Sequence, residues 1–426
     1  MESNLRMNIE GVNVIGFVKG EFGLGQGVRM TIKALEAAGI PVCTLNFNAK
    51  TPHHAEDTLI SNIETSPKYS INIIQINPDM LDEFTRLNGS ELLKGRYNIA
   101  FWAWELDRYP DMYQRFFDYF DEVWTPSTFC VEAIAAKSPV PVLAFPHPIS
   151  QNQSTIDRNT LQLPEGKFIL LSLFDFLSSI ERKNIFGIID AFEKAFGKDD
   201  SSVLLVLKAN NSEMFPDQLA RLKNRIVGFV NILLINKRYE RSHIDGLIKV
   251  SNVLVSLHRG EGFGLTMAEA MAAGKPVIAT DYSGNRDFMH SGNSFLVPYK
   301  MIAVSDINPC YTKGNMWADP DIDEAAKQML LVRHNPEMAN KVAQQGFQDI
   351  TDNLSFAHIG EKMRARLQLI IAQGWTRKTE TILQNKIGIL EIEYHKLAVR
   401  NTHLEKTLYN KLRKKFKKIF HPNKAN

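Results

Sequence analysis

Short apolar runs and helix-like segments alternate along most of the chain, with glycine and polar residues between them. The apolar runs are continuous, as is typical of strands that are buried on both faces of a parallel sheet. Strands that alternate with helices predict βαβ units and therefore an α/β fold. Such strands are predicted over residues 12–18, 41–47, 71–76, 97–104, 121–127, 168–174, 203–207, 231–235 and 252–257.

The first βαβ unit has a glycine-rich turn, from Gly20 to Gly27, before a helix that is predicted over residues 28–38. A turn of this kind is found at dinucleotide sites, but these glycines do not fit the pattern G-x-G-x-x-G. The second strand ends near Asn46 and Asn48 instead of the acid that holds the ribose of NAD. The sequence therefore argues against a nicotinamide dinucleotide.

The segment that carries the most signals for function runs from residue 252 to residue 276. It combines a strand, a glycine turn and a helix predicted over 265–273. Free backbone N–H groups and the helix dipole at such a turn attract an anion, and phosphate suits the place. Glu261 and Glu269 bracket the turn. Because phosphate repels carboxylates, their partners are expected to be hydroxyl groups. Phosphate and hydroxyls side by side describe a nucleotide sugar.

This segment, with Glu-Gly-Phe-Gly-Leu from Glu261 and Glu-Ala-Met-Ala-Ala-Gly from Glu269, resembles the E-x7-E signature of retaining glycosyltransferases, most closely glycosyltransferase family 4. The resemblance implies that Glu269 holds the ribose hydroxyls and that Glu261 lies beside the donor sugar. It implies further donor-binding positions at Gly262, Phe263, Gly264, Leu265 and Thr266. The alternative is a buried βαβ unit in which Glu269 is only a favourable acid in a first helical turn.

Arg182 and Lys183 lie where a loop after the strand over 168–174 leads into a helix. Two cations there can neutralise a pyrophosphate, which carries more charge than backbone dipoles can balance. The resemblance implies that this Arg-Lys pair binds the donor diphosphate and stabilises it as it leaves. Lys208, at the end of the next strand, is a third candidate cation, with a solvated loop as the alternative.

In the N-terminal half, the resemblance implies that the loop with Gly23, Gly25 and Gly27 faces the cleft and approaches the donor phosphates. Glu105 ends the strand over 97–104, and its surroundings resemble the Trp-Glu-x-Asp segment of a polysaccharide-forming subgroup of the family. Aromatic faces and a carboxylate suit a sugar acceptor, although the His that is common in the family near this position is absent. One of Trp102 and Trp104 is expected to belong to the core.

The resemblance extends over about residues 12–367 and implies the GT-B arrangement, in which two Rossmann-like doubly wound domains face a cleft. Residues 1–148 are predicted to form the acceptor-side domain and residues 149–350 the nucleotide-sugar domain. Residues 351–378 are predicted to pack back toward the first domain, and residues 379–426 to form a helical tail. His147, between two prolines, is interpreted as a hinge residue rather than as a base.

Composition limits the remaining possibilities. The chain has 426 residues, 44% of them hydrophobic, and three widely spaced cysteines that predict neither a disulfide framework nor a zinc site. No run of 18 apolar residues and no apolar leader is present, so a cytoplasmic location is expected. The acids of 319–323 form D-x-D patterns, but Asp321 or Asp323 precedes a helix and is expected to be its N-cap. We therefore expect neither a metal nor another cofactor.

The tail differs from the rest of the chain. A heptad pattern over residues 383–408, with Asn401 on its seam, predicts either a homodimeric coiled coil or a helix packed on its own domain. Seven basic residues and no acid lie between 407 and 426. The segment 411–420 is basic and amphipathic, which favours an anionic membrane surface over nucleic acid. It could place the protein on the inner face of the cytoplasmic membrane.

The predicted activity is transfer of a sugar, with retention at the anomeric carbon, from a nucleotide-sugar donor to a saccharide or lipid-linked saccharide acceptor. Bacterial surface polysaccharide synthesis follows from the subgroup resemblance and the basic tail. The assigned catalytic residues are Glu261, Arg182, Lys183 and Glu105. Two alternatives remain open: a non-hydrolysing sugar-nucleotide epimerase, which would turn over without an acceptor, and a non-catalytic scaffold that binds the nucleotide sugar and recruits a partner through its coiled coil.

Overall fold

The N-terminal half forms a six-stranded parallel sheet. The computed structural model describes residues 9–49, 51, 55, 57–88, 91–304, 311 and 314–373. The strands lie in the order β2-β1-β3-β4-β5-β6, with β1 Val12–Gly16, β2 Val42–Asn46, β3 Ile71–Gln75, β4 Tyr97–Phe101, β5 Glu122–Thr125 and β6 Val142–Ala144. The α-helices between them are α1 Gly23–Ala37, α2 Leu81–Asn88 and α3 Thr128–Ala135. Every residue of β1 and β3 is buried, as their apolar sequences require.

The C-terminal half repeats this plan in a second six-stranded parallel sheet with the order β12-β11-β10-β7-β8-β9. Its strands are β7 Phe168–Asp175, β8 Val203–Asn210, β9 Ile232–Ile235, β10 Val253–Ser256, β11 Val277–Thr280 and β12 Phe295–Val297. Its helices are α4 Ile180–Lys183, α5 Ile185–Phe196, α6 Pro216–Arg225, α7 Arg241–Val250 and α8 Leu265–Ala272. Two doubly wound parallel sheets confirm the predicted fold class.

The remaining elements join the two halves. A hairpin of β13 Tyr299–Ala303 and β14 Met316–Pro320 follows the second sheet, and then come α9 Ile322–His334, α10 Pro336–Asn353 and α11 Phe356–Ala372. Helix α11 packs on α1 of the first half, where Gly360 lies so close to the Ala34 carbonyl that an added Cβ would overlap it. Arg366 of α11 also pairs with Glu122, which is completely buried in β5. The chain therefore returns to its first sheet.

The first helix is longer than the sequence predicts. It begins at Gly23, whereas the prediction placed its start at residue 28. Three glycines lower the intrinsic helix propensity of this turn, so the pattern of strong helix formers placed the helix start after them. Gly25 packs against the carbonyl of Gly20, and a Cβ at this position would overlap that oxygen. The turn that precedes the helix is therefore shorter than predicted.

Two predictions about the tail fall outside the described residues. These are the heptad segment over 383–408 and the basic segment over 411–420. Across the described ranges, no helix is both long and apolar enough to cross a membrane.

Candidate active site

The candidate site lies between the two sheets, beyond the carboxyl ends of β7 and β10. These two strands are neighbours in the second sheet, with β8 next to β7 on one side and β11 next to β10 on the other. The order of connections reverses there, and open α/β sheets bind ligands at such a switch point. The loops after β7 and β10 carry Arg182, Lys183 and Glu261. The topology thus brings together residues that are nearly 80 positions apart in the sequence.

Charged side chains form a compact cluster in this position. Lys183 Nζ contacts Glu261 Oε1, and Arg182 Nη1 lies 3.2 Å from the same oxygen. Arg182 also donates a hydrogen bond of 2.7 Å to the Gly260 carbonyl, and its Nη2 lies 3.9 Å from Glu105 Oε1 of the first half. The Arg182 side chain is only 4% exposed. Two cations and two carboxylates from both halves therefore form one cluster, in which Arg182 is buried and the other three are partly exposed.

The two carboxyl groups of this cluster differ in their protonation. Burial would raise the pKa of Glu261, but Lys183 and Arg182 outweigh that effect and lower it to about 2. Burial raises the pKa of Glu105, and the more distant Arg182 only partly opposes the rise. Pairs of carboxyl groups whose surroundings separate their pKa values in this way are typical of acid–base sites. Glu261 is thus a fixed anion, while Glu105 is closer to holding a proton.

Glu269 lies in the middle of α8 and is 6% exposed. Its Oε1 accepts a hydrogen bond of 2.5 Å from Gln26 Nε2, on α1 of the first half. The same oxygen lies 2.7 Å from Arg241 Nη2, and that nitrogen lies 2.7 Å from Asp245 Oδ1. The carboxylate predicted to hold a ribose therefore faces the cleft and is contacted from both halves of the protein.

The glycine turn before α8 has a backbone that only glycine adopts readily. Gly264, the N-cap, has a φ of 102°, in the left-handed region. This conformation leads directly into Leu265 and Thr266, whose N–H groups belong to the first turn and have no partner within the helix. An anion can bind there. The Phe263 side chain is instead buried against the rings of His147 and Phe288, so that only its backbone can contribute to donor binding.

The glycine turn also contacts the first half of the protein, and this contact requires glycine at two of its positions. A Cβ on Gly260 would overlap the carbonyl of Glu105, and one on Gly262 would lie 3.2 Å from the carbonyl of Trp104. The Gly262 carbonyl accepts a hydrogen bond of 2.6 Å from Ser127 Oγ, which also caps α3. The glycines thus allow the backbones of the two halves to meet directly beside the charged cluster.

Lys208 is a buried residue of β8, so the alternative of a solvated loop is wrong. Its ammonium donates hydrogen bonds to the Ala209 carbonyl at 2.7 Å and to Asn210 Oδ1 at 2.5 Å. The ammonium also lies 5.4 Å from the centre of the Tyr239 ring. Burial lowers its pKa to about 8, despite the nearby carboxylate of Asp175. Strand β8 continues to Asn210, three residues beyond the predicted end, and carries this lysine inside the sheet.

Other predicted residues lie in less polar surroundings. Trp102 and Trp104 are both core residues, whereas only one of them was expected to be, because each packs against the Tyr109 ring. His147 is stacked on Phe101, and burial lowers its pKa to about 4. A neutral imidazole in an apolar contact between the two halves agrees with the prediction that it is not a base. Gly23, the first residue of α1, has open space around it.

Asp321 confirms the N-cap prediction, because its carboxylate accepts hydrogen bonds of 3.0 Å from the N–H groups of Asp323 and Glu324. Asp319, the other acid of the D-x-D pattern, pairs with Arg259. Among the residues that the structure describes, no three His, Cys, Asp or Glu side chains come together in a way that could hold a metal ion.

Sequence reasoning missed two residues of the site, Gln26 and Arg241. Gln26 lies among the glycines of α1, and Arg241 is the first residue of α7. Neither belongs to a motif, and their link to Glu269 spans 243 positions in the case of Gln26.

Comparison with known proteins finds a family match in the second half of the chain. Residues 153–349 match the family model of the glycosyl transferases group 1. EpsD of Bacillus subtilis (strain 168), which carries the name glycosyltransferase, is 30% identical over 106 residues, or 25% of this chain. The match spans 23% of the length of that relative.

Solved structures show the same fold over most of the chain. Alr3699/HepE of Anabaena, in complex with UDP and glucose, has a TM-score of 0.60 at 14% identity, over 84% of this chain and 99% of its own. Sucrose-phosphate synthase of Thermosynechococcus elongatus has a TM-score of 0.60 at 14% identity, over 85% and 100%. A glycosyltransferase of Rickettsia africae has a TM-score of 0.60 at 12% identity, over 85% and 99%. These neighbours are GT-B glycosyltransferases, and they confirm the predicted two-domain arrangement.

Proposed function

We propose that this chain, whose residues 153–349 match the glycosyl transferases group 1, is a glycosyltransferase that moves a sugar from a nucleotide-sugar donor to a saccharide or lipid-linked saccharide acceptor, with retention at the anomeric carbon. One observation carries the proposal. Arg182 and Lys183 lie side by side on Glu261 at the switch point of the second sheet, next to the N-terminal turn of α8. This is a site for a diphosphate with a hydroxyl-bearing group beside it.

The cations are suited to a leaving diphosphate. In the reaction, the bond between the anomeric carbon and the phosphate oxygen breaks, and its electron pair stays on that oxygen. The acceptor oxygen bonds to the same carbon, and its proton passes to the departing phosphate. Arg182, Lys183 and the first amides of α8 would stabilise the charge that develops on the leaving group. Arg182 Nε is buried and has no hydrogen-bond partner among the described residues, so it can serve a ligand.

The carboxylates are suited to the sugars. Glu269 would accept hydrogen bonds from the ribose hydroxyls, and Glu261 would lie beside the donor sugar. Glu105 enters the cluster from the first half, on the acceptor side, and its raised pKa makes it a candidate to exchange a proton with an acceptor hydroxyl. The fold neighbour HepE was solved with UDP and glucose, which supports a nucleotide sugar as the donor here.

The acceptor class rests on sequence. The Trp-Glu-x-Asp segment at residues 104–107 resembles a polysaccharide-forming subgroup, and the basic segment 411–420 would favour an anionic membrane. A lipid-linked saccharide is available at such a surface. Synthesis of a bacterial surface polysaccharide is therefore the proposed setting.

A thermal-shift screen tests the donor assignment. The full chain is heated with UDP-, GDP-, ADP- and dTDP-sugars, and the screen is repeated with Glu269→Ala and with Glu193→Ala as a control distant from the cleft. A ligand at 100 times its dissociation constant should stabilise the fold by about 2.7 kcal/mol. We expect one nucleotide to stabilise the wild type and the control but not Glu269→Ala.

A turnover assay with that donor then tests the reaction. Release of the nucleoside diphosphate should require a saccharide acceptor, and NMR of the product should show the anomeric configuration of the donor. Turnover without an acceptor would favour an epimerase. Donor binding that never leads to turnover, with lipid-linked saccharides from the native membrane supplied, would favour a scaffold. Inversion at the anomeric carbon would refute the retaining mechanism.

A further inference from the structure

Arg241 is the cation that faces Glu269 from within the same half of the protein. We propose that Arg241 is a positioning residue, which orients the Glu269 carboxylate so that it accepts the hydroxyl groups of the nucleotide ribose. The inference rests on the proposed function, because it assumes that a nucleotide binds at Glu269. It assigns a role in donor recognition to a residue outside the E-x7-E segment.

The geometry assigns different tasks to the two carboxylate oxygens. Arg241 Nη2 and Gln26 Nε2 both approach Oε1 of Glu269, at 2.7 Å and 2.5 Å. Within the part of the chain that the structure describes, no protein group donates a hydrogen bond to the other oxygen, Oε2. A carboxylate has acceptor capacity on both oxygens. Arg241 thus fixes one oxygen and leaves the other for a ligand hydroxyl.

Arg241 is itself held in place. It is the first residue of α7, and Asp245, one turn further along the same helix, pairs with it at 2.7 Å. The guanidinium is therefore attached to the second half of the protein and does not depend on closure of the cleft. Gln26 differs, because it belongs to the first half. An arriving ribose can displace Gln26 while the contact between Arg241 and Glu269 persists.

Electrostatics makes the arginine necessary. Glu269 is almost completely buried, and a buried carboxylate is unfavourable unless a cation pairs with it. Without Arg241, the carboxylate would lose its ion-pair partner and turn toward water. That change misdirects an acceptor that the ribose hydroxyls require. The rest of the nucleotide, held by phosphate contacts, would be less affected.

The experiment compares ribose with deoxyribose. Titration calorimetry measures the dissociation constants of UDP, GDP and ADP, and then of the 2′-deoxy counterpart of the tightest binder. The variants are Arg241→Met, Arg241→Lys and the control Arg225→Met. Arg225 is a matched control because its Nη2 also bridges two carboxylates, Asp190 at 2.7 Å and Glu193 at 2.6 Å, away from the cleft.

We expect Arg241→Met to weaken binding of the ribonucleotide by about tenfold, the scale of one charge-assisted hydrogen bond. The deoxynucleotide should lose much less, so that the preference for ribose largely disappears. Arg241→Lys should retain part of this preference, and Arg225→Met should retain all of it. In a Glu269→Gln background, Arg241→Met should have little further effect, because the two residues act as one unit.

Several results would overturn the inference. Equal weakening of both nucleotides would mean that Arg241 contacts the ligand by another route or supports the fold only. An unchanged preference for ribose in Arg241→Met, or no such preference in the wild type, would also refute it. These outcomes leave the proposed sugar transfer intact, although a wild type without a preference for ribose would remove the ribose contact assigned to Glu269. If the wild type binds none of the nucleoside diphosphates and none of the nucleotide sugars, the proposed function fails, and this inference fails with it.

Discussion

Replacement of Glu261 by Gln tests the charged cluster most directly. The amide keeps the shape of the side chain but removes the negative charge that pairs with Lys183 and Arg182. In the wild type without ligand, this one carboxylate balances two largely buried cations. The substitution should therefore destabilise the unliganded protein, and a bound diphosphate should restore much of the lost stability because it supplies a replacement charge.

Two considerations agree on the size of the effect. The pKa of Glu261 falls from an ordinary 4.5 to about 2 in the folded state, which corresponds to about 3 kcal/mol at neutral pH, since one pKa unit is worth about 1.4 kcal/mol. Removal of one partner from a buried ion pair costs about 3–5 kcal/mol. A loss of about 3 kcal/mol should lower the melting temperature of a domain of this size by about 6–12 °C.

The assay is thermal unfolding across pH, with and without a nucleoside diphosphate. Because the folded pKa of Glu261 is depressed, its contribution is fully present above about pH 4.5 and is lost as the pH falls toward 2. The gap between the wild type and Glu261→Gln should therefore be largest near neutral pH and should shrink in acid. Glu83→Gln, which breaks an exposed pair with Arg86, is the matched control and should change little.

Equal melting temperatures of the wild type and Glu261→Gln at neutral pH would refute this account of the cluster. A gap that persists unchanged in acid would show that the substitution acts through packing rather than charge. A diphosphate that stabilises the variant less than the wild type would show that the cations do not face the ligand.

Two further predictions concern neighbours of this cluster. Gly260→Ala should reduce kcat by at least about tenfold and should also weaken donor binding, because its Cβ would overlap the Glu105 carbonyl and hold the two halves apart. Steady-state kinetics with separate kcat and KM values would check this, and an unchanged kcat would contradict it. Affinity for a nucleoside diphosphate should weaken as the pH rises through about 8, because buried Lys208 loses its charge there. Calorimetry should show that Lys208→Met removes this pH dependence. A pH dependence that survives in the variant would exclude Lys208 as its source.

The sequence was sufficient to predict the features that local chemistry determines. Unbroken apolar runs predicted parallel strands that are buried on both faces, and a glycine turn followed by strong helix formers predicted the start of α8. The cations of α4 and the acid Glu261 were each recognised from residue type and position after a strand. Their meeting was not predicted from the sequence, and it follows from the adjacency of β7 and β10 in the folded sheet.

The sequence could not predict the features that depend on the approach of the two halves. The early start of helix α1, among glycines of low helix propensity, is a separate difference that arises within the first half. One of Trp102 and Trp104 was expected to lie outside the core, but both are buried, and Trp104 packs beside Tyr311. Gln26 and Arg241 reach Glu269 only through tertiary structure. A polar residue on a helix gives no indication of a partner that is hundreds of positions away.

The arrangement makes the two halves of the protein interdependent at the site. Glu261 and Glu269 both belong to the second half of the protein. Gln26 of the first half contacts Glu269 directly, and Glu105 of the first half is linked to Glu261 through Arg182. The glycines between them allow backbone contact between the halves, so that the same short turn serves both closure and anion binding. A donor that enters must therefore exchange contacts with both halves at once. If the site binds the proposed donor, its binding should be coupled to the approach of the two halves through the E-x7-E segment.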